Sequence, residues 1–246
     1  MAIPFQTDNG IGTRAALGLI VLEADETIEA EFKHYINLEG VSLYHSRVPS
    51  GAEVTPETLA RMEAEIPRAV SLLPAAVAFD VIGYACTSGA TIIGEDNVAR
   101  VIDDVRPGVT VSNPISAVKE ALTALNLHRI AFVTPYIASV STAMRGNLED
   151  AGFKISTFAS FEQVEEKVVA RITPQSLLSA LLNIDLGTEC DGLFISCTNL
   201  RTAGIIEEAE QALGIPVISS NQALAWHMLR LAGIDELITG QGRLFR

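Results

Sequence analysis

The sequence predicts an α/β fold with two pseudo-symmetric halves, each built on a parallel sheet, and an active site in the cleft between them. Three observations indicate this. Short apolar runs alternate with helical segments along all 246 residues, the pattern restarts near residue 116, and one strand-end motif occurs twice. Such alternation is typical of βαβ units, in which successive strands lie parallel. We expect a first half at 1–116, completed by the C-terminal segment 222–246, and a second half at 117–221.

The elements of the first half follow from apolar runs and helix-start signals. Strands are predicted at 16–22, 40–45, 77–85 and 109–112, and helices at 27–35, 55–73 and 95–106. Thr55 followed by Pro56 is a typical helix start, because threonine caps the first free amides and proline has no amide hydrogen to leave unpaired.

The second half repeats the alternation. Helices are predicted at 116–125, 138–151, 173–184, 205–213 and 223–232, and strands at 129–134, 154–158, 192–196 and 216–219. Gly152 stands where a glycine commonly ends a helix, just after the helix at 138–151.

Charge and hydropathy restrict the class of partner. Seventeen lysines and arginines against 30 aspartates and glutamates give a net charge of −13, which argues against nucleic acid or an anionic membrane as a partner. The N-terminal residues lack the pattern of a signal peptide, and no apolar run approaches the roughly 20 residues of a membrane span. We therefore expect a cytoplasmic protein whose three cysteines are free thiols.

An internal repeat carries the functional prediction. The segment DVIGYACT, ending in Cys86 and Thr87, is matched by DGLFISCT, ending in Cys197 and Thr198, at an offset of 111 residues. Aspartate, cysteine and threonine keep the same spacing in both copies. Each cysteine is thus expected at the carboxyl end of a parallel strand, which is where open α/β sheets bind their ligands.

The residues after each cysteine suggest its chemistry. Small polar residues follow, namely Thr87 and Ser88 in one copy and Thr198 and Asn199 in the other. Free backbone amides in such turns bind carboxylates and lower the pKa of a thiol, so we expect reactive thiolates at neutral pH. If the two halves pack about a pseudo-twofold axis, one thiolate can remove a proton or add to an unsaturated carbon. The other thiol then protonates the opposite face.

Other groups are weaker candidates. Cys190 has no glycine-rich turn after it and is expected to be a small buried hydrophobe. There is no Cys-x-x-Cys, and the four histidines have no ligand spacing among themselves, so no metal is predicted. No phosphate-binding loop or dinucleotide fingerprint is found, and no cofactor is predicted.

The segments Tyr84–Ala90 (YACTSGA) and Phe194–Leu200 (FISCTNL) carry a family resemblance. With them the sequence resembles the aspartate/glutamate racemase superfamily, and most closely the branch that holds maleate cis–trans isomerase, arylmalonate decarboxylase and the ectoine-utilisation proteins. The resemblance implies a cofactor-independent and metal-free isomerase that acts on a small carboxylate or amino-acid substrate, and a homo-oligomer, specifically a dimer. It implies that Cys86 is the nucleophile, that Cys197 handles a proton or holds the substrate, and that Tyr136 contacts the substrate.

The sequence departs from the maleate isomerase pattern at two positions. Asp25 stands where that family carries a substrate-binding asparagine, and a second such asparagine falls near Glu165 or Glu166. A carboxylate close to a substrate carboxylate is unfavourable in a half-buried site. Asp25 and Glu166, if they line the site, suit a substrate that carries an ammonium group.

Two alternatives remain open. An arylmalonate-type decarboxylase needs only the cysteine that matches Cys197. A non-catalytic module that binds small molecules can also consist of two α/β lobes around a cleft. Within the isomerase prediction, cis–trans isomerisation and racemisation both remain open.

Overall fold

Eight strands form two all-parallel sheets in the computed structural model, which describes residues 1–8 and 10–246. The strands are β1 (Ala15–Leu22), β2 (Val41–Val48), β3 (Val81–Ala85), β4 (Thr110–Ser112), β5 (Arg129–Tyr136), β6 (Lys154–Gln163), β7 (Gly192–Ile195) and β8 (Val217–Ser219). The first sheet has the order β2-β1-β3-β4 and the second has the order β6-β5-β7-β8. The two orders correspond strand for strand, so the predicted fold of two similar α/β halves is confirmed.

Eleven α-helices connect and cover the strands. They are α1 (Ile28–Tyr35), α2 (Pro56–Arg61), α3 (Ile66–Ser71), α4 (Thr87–Ile93), α5 (Glu95–Asp103), α6 (Pro114–Ala124), α7 (Ala138–Asp150), α8 (Glu166–Val169), α9 (Pro174–Asn183), α10 (Ile206–Leu213) and α11 (Ser220–Leu231). Strand β1 is buried along its whole length, as expected when helices cover both faces of a parallel sheet.

The predicted long helix at 55–73 is divided into three parts. Helix α2 is followed by a 3-10 turn at Met62–Glu65 and then by α3. Pro67 lies at the start of α3, and its missing amide hydrogen cannot continue the hydrogen-bond ladder of a preceding helix. The start at Thr55 is as predicted, because the Thr55 side chain accepts from the Thr58 amide.

Two short helices were not predicted, and strands β2, β5 and β6 continue beyond their predicted ends. Helix α4 consists of TSGATII, a segment rich in weak helix formers. Helix α8 has only four residues, which is too short for a hydrophobic period to show. Strand β6 continues to Gln163 instead of ending at 158, and this extension brings the chain to the functional site.

Helix α11 packs against β3 and β4 of the first sheet although it follows the last strand of the second. Gly83 of β3 permits this contact, because a Cβ there would lie 2.6 Å from Met228 Sδ. We retain the division into 1–116 plus 222–246 and 117–221 as a proposal, which this packing supports.

A buried carboxylate joins the two halves. Glu31 of α1 accepts hydrogen bonds from the Thr202 hydroxyl at 2.9 Å, the Ala203 amide at 2.7 Å and Asn221 Nδ2 at 2.8 Å. The Thr202 amide also donates to it. Because a buried carboxylate is stable only when its oxygens are satisfied, this cluster fixes α1 against the 198–203 turn. Among the described residues, no helix is both long enough and apolar enough to span a membrane.

Candidate active site

Cys86 lies at the point where β3 ends and α4 begins. It is the N-cap residue of α4, and its Sγ accepts from the Gly89 amide at 3.1 Å. A Cβ at Gly89 would lie 2.9 Å from that sulfur and 2.6 Å from the Tyr84 hydroxyl. Glycine therefore allows the backbone to approach the thiol closely. The Ser88 hydroxyl lies 3.6 Å from the same sulfur.

Cys197 occupies the matching position after β7, in an unusual backbone conformation. Its φ is +132°, a region that side-chain-bearing residues rarely adopt and that costs on the order of 1–3 kcal/mol. The Cys197 amide donates to Ser220 Oγ at 3.0 Å, and its Sγ accepts from the Asn199 amide at 3.3 Å. These two bonds hold the strained residue in place.

Ser220 connects the two cysteine turns. Its hydroxyl oxygen accepts from Thr87 Oγ1 at 2.8 Å and from the Cys197 amide, so one buried atom joins the residue after Cys86 to Cys197 itself. Ser220 was not among the site residues predicted from the sequence. Its position directly after β8, at another carboxyl strand end, could have indicated it.

Tyr136 lies beside both thiols. Burial raises its pKa well above the usual value, and the negative charges that Cys197, Cys86 and Glu166 can carry raise it further. Its hydroxyl lowers the pKa of the Cys197 thiol, against the larger effect of burial. The two cysteines, although 111 residues apart, therefore belong to one buried cluster of side chains with Tyr136, and this cluster is called the chamber.

Asp25 reaches this chamber from the end of β1. Its Oδ1 accepts from the amides of Thr27 and Ile28, both at 2.8 Å, at the start of α1. Within the described part of the chain, its buried Oδ2 has no hydrogen-bond partner. Burial raises the pKa of Asp25, although the Ile28 and Thr27 amides and the nearby Thr198 hydroxyl lower it.

Glu166 reaches the chamber from α8 in the second half. Its Oε2 accepts from Asn199 Nδ2 at 2.9 Å. Burial raises its pKa to about 7, with a further contribution from the charge of Asp25. The two carboxyls are therefore close enough to interact. Glu166, not Glu165, is the buried member of the pair considered in the sequence analysis.

The prediction of lowered thiol pKa values is wrong for this arrangement. Burial raises the pKa of Cys86 to about 12, and the charges of Glu166 and Asp25 raise it further, against the lowering effect of Ser88 and the Gly89 amide. Burial and Glu166 likewise raise the pKa of Cys197 well above its usual value. The turn amides are present as predicted, but desolvation and two carboxylates outweigh them.

Two backbone hydrogen bonds join the halves near Glu166. The Val54 amide donates to the Val164 carbonyl at 2.9 Å, and the Glu166 amide donates to the Ala52 carbonyl at 3.1 Å. The first segment belongs to the first half and the second follows β6 in the second half. Cys86 and Cys197 are each only 2% exposed.

The structure buries every predicted site residue. These are Asp25, Cys86, Thr87, Ser88, Tyr136, Glu166, Cys197, Thr198 and Asn199. Their roles toward a substrate stay predictions. Cys190 lies apart, half-buried, and its thiol donates to the Gly192 carbonyl at 3.1 Å. Within residues 1–8 and 10–246, no group of three or more His, Cys, Asp or Glu side chains is arranged to hold a metal ion.

The two matching sheets and the enclosed pair of thiols define a cysteine-dependent enzyme with two similar halves. The family model described as arylmalonate decarboxylase matches residues 53–245. The chain therefore belongs to the arylmalonate decarboxylase family, as the resemblance noted in the sequence predicts.

Relatives within this family include isomerases. The chain is 32% identical over 240 residues to the maleate isomerase of Nocardia farcinica, covering 94% of this chain and 95% of that protein. It is 31% identical over 140 residues to the arylmalonate decarboxylase of Bordetella bronchiseptica, covering 56% and 58% of the two chains. A solved structure of the N. farcinica maleate cis–trans isomerase, a cysteine-to-serine mutant with a covalently bound succinylcysteine intermediate, superposes with a TM-score of 0.86. It is 30% identical and covers 94% of this chain and 98% of its own. The site and these relatives together identify an enzyme of the isomerase type.

Proposed function

We propose that this chain is a cofactor-independent isomerase that acts on a small carboxylate through Cys86 and Cys197. The observation that carries the proposal is the placement of two thiols at equivalent strand ends, with Tyr136 beside both. The succinylcysteine intermediate of the N. farcinica relative supports an adduct between a cysteine and a carbon of the substrate.

We assign the nucleophile to Cys86. Its sulfur receives the Gly89 amide and lies near the Ser88 hydroxyl, and both donors stabilise a thiolate. Cys197 instead lies near the Tyr136 hydroxyl, which lowers the pKa of its thiol, and such a neighbour suits a group that gives and takes back a proton.

The proposed reaction is balanced without an external reactant. The Cys86 thiolate forms a carbon–sulfur bond to one carbon of a double bond, and the π electrons move to the neighbouring carbon, next to the carboxylate. Cys197 gives that carbon its proton. Rotation about the new single bond follows. Cys197 then takes the proton back, the carbon–sulfur bond breaks, and the trans alkene leaves with the Cys86 thiolate and the Cys197 thiol restored.

The remaining predicted residues are proposed to position these groups. The Thr87 hydroxyl holds Ser220, which in turn holds the Cys197 amide. Asn199 contacts the Cys197 sulfur through its amide and Glu166 through its side chain. Thr198 lies beside Asp25. Tyr136, Ser88 and Thr198 present hydroxyl groups that can bind a substrate carboxylate.

The same pair of thiols can exchange a proton at a saturated carbon, which is racemisation. Heavy water separates the two reactions. A racemase incorporates deuterium at the α-carbon of a recovered saturated substrate, whereas the adduct route requires an unsaturated substrate and passes through a transient thioether on Cys86. We favour the adduct route because of the intermediate found in the relative.

Three cysteine variants test the proposal. Cys86→Ala and Cys197→Ala are each expected to lower kcat by at least about a thousandfold, since the thiols act as a unit. Cys190→Ala is the matched control, because that thiol is free but lies outside the chamber, and it should retain full activity. Turnover that survives in both chamber variants contradicts the proposal. Carbon dioxide released by a Cys86→Gly variant favours a decarboxylase instead.

The proposal includes a cytoplasmic location and a dimeric assembly. Both come from the sequence and the family resemblance. Sedimentation equilibrium should give a mass about twice the 26.3 kDa of the chain. A mass equal to that of one chain contradicts the dimer.

A further inference from the structure

We propose that the substrate carries an ammonium group, and that this group binds between Asp25 and Glu166 in the chamber of the two cysteines. The inference rests on the proposed function, because it assumes the substrate carboxylate that activates the reacting carbon. It adds that the other end of the substrate is an ammonium group, so that the substrate is a zwitterion and not a dicarboxylate.

The first observation is an unpaired carboxylate oxygen. Asp25 is 3% exposed, and its Oδ1 is fully engaged by the two amides at the start of α1. The Thr198 hydroxyl lies near enough to lower the pKa of Asp25, but among the described residues no donor, Thr198 included, makes a hydrogen bond to the buried Oδ2. A buried acceptor without a partner is costly, and a ligand that donates hydrogen bonds removes that cost.

The second observation is that this oxygen belongs to the chamber and not to a remote part of the core. Asp25 acts electrostatically on both Cys86 and Cys197, as well as on Glu166. The hydrogen bonds agree with this placement. Asn199 Oδ1 accepts from the Glu26 amide, directly after Asp25, at 3.0 Å, and the Asn199 amide donates to Cys197 Sγ at 3.3 Å, so that Asp25 lies beside the Cys197 turn.

Glu166 provides a second acceptor on the other side. Its Oε2 is held by Asn199, so the carboxyl group is oriented by a side chain that also contacts the Cys197 turn. An ammonium group donates three hydrogen bonds and accepts none. A site with two carboxyl groups matches these donors, whereas a second carboxylate would meet two like charges.

The arrangement links binding to reactivity. Asp25 and Glu166 both oppose ionisation of Cys86. Burial is the largest cause of the raised Cys86 pKa, and a cation bound between the two carboxyls offsets the part that they add, so that a substrate with the correct end group lowers the pKa of this thiol. The same balance keeps the thiols protonated and unreactive toward other electrophiles.

Binding of two unreactive saturated acids tests the proposal independently of turnover. 4-Aminobutanoate carries one carboxylate and one ammonium group, and succinate carries two carboxylates. By isothermal titration calorimetry at pH 7.5, the wild-type protein should bind 4-aminobutanoate at least tenfold more tightly than succinate. Asp25→Asn should weaken 4-aminobutanoate binding on the order of a hundredfold and strengthen succinate binding, because an amide can donate to a carboxylate.

The control is Glu165→Gln, which removes the same charge one residue away from Glu166 on an exposed side chain. It should leave both affinities unchanged, whereas Glu166→Gln should weaken 4-aminobutanoate selectively. Equal or tighter binding of succinate by the wild-type protein overturns the proposal, as does failure of 4-aminobutanoate to bind at 10 mM or below, a limit of about 3 kcal/mol. Succinate binding that falls on Asp25→Asn also overturns it, because Asp25 then acts as a protonated donor.

The outcome is separable from that of the proposed function. If the cysteine variants abolish turnover of maleate and the calorimetry favours succinate, the isomerase stands and the ammonium site fails. If 4-aminobutanoate binds as expected but neither cysteine is needed for conversion of the unsaturated analogue (Z)-4-aminobut-2-enoate, the ammonium site stands and the proposed mechanism fails.

Discussion

Replacing Ser220 by alanine tests how the two cysteine turns are held together. The Ser220 hydroxyl accepts from the Cys197 amide at 3.0 Å and from Thr87 Oγ1 at 2.8 Å, and Ser220 is fully buried. Alanine leaves the Cys197 amide without an acceptor, at a cost of about 1–3 kcal/mol. For a chain of this size each kcal/mol corresponds to about 2–4 °C in Tm, so a fall of about 2–12 °C is expected.

The same substitution should lower activity, because the amide bond helps to hold Cys197 at its φ of +132°. A shift of the thiol by about 1 Å can cost a hundredfold in rate, and we expect a decrease of roughly ten- to a hundredfold in kcat. Urea unfolding, thermal unfolding and a kinetic assay measure these effects. Ser71→Ala, on an exposed serine that donates only to the Arg68 carbonyl, is the matched control and should change stability by less than about 0.5 kcal/mol. Equal stability and activity of Ser220→Ala and wild type refutes the reasoning.

Three further predictions concern the joint between the halves and the environment of Cys86. Glu31→Ala should lower the free energy of unfolding in urea by about 3–5 kcal/mol, since it leaves four hydrogen-bond donors without an acceptor. A loss below about 1 kcal/mol contradicts the idea that Glu31 holds the two halves together. Glu166→Gln should shift the alkylation profile of Cys86 to lower pH, because removal of a negative charge favours the thiolate; an unchanged iodoacetamide rate between pH 8 and 9 contradicts this. Gly89→Ala should cost about 1–3 kcal/mol and lower kcat, because its Cβ meets the Cys86 sulfur and the Tyr84 hydroxyl. Wild-type activity and Tm in that variant show that the turn can relax.

The strand–helix alternation and the repeated cysteine motif were sufficient to predict the fold. Parallel strands buried on both faces leave continuous apolar runs, and all eight predicted strands are present. The placement of Cys86 and Cys197 at equivalent strand ends follows from the same periodicity, because the carboxyl ends of parallel strands share one edge.

The features that were missed depend on tertiary contacts. The break of the 55–73 helix follows from Pro67, which an amphipathic period does not register. The raised thiol pKa values depend on burial and on the charges of Glu166 and Asp25, two residues that are 141 positions apart in the sequence. Ser220 becomes significant only when β8 brings it beside Thr87 and Cys197.

Asp25 has some features that follow from the sequence and others that only the structure shows. Its position after β1 was apparent from the sequence, and so was its difference from the asparagine of the maleate isomerases. The different hydrogen bonding of its two carboxylate oxygens was not apparent from the sequence, because it depends on the path of the turn into α1. That path places Oδ1 on two backbone amides and leaves Oδ2 unpaired among the described residues.

Trapping of the intermediate tests the central claim most directly. In the Cys197→Ser variant the serine hydroxyl or water supplies the proton that completes the adduct, but no thiolate remains at position 197 to remove it again, so the adduct should accumulate. The variant is incubated with maleate or with (Z)-4-aminobut-2-enoate, and the protein is analysed by intact-mass and peptide mass spectrometry. The account predicts one added substrate mass, located on Cys86 and absent from a Cys86→Ala/Cys197→Ser double variant. Isomerisation by this variant without any modified cysteine, or a thioether confined to Cys190, contradicts it.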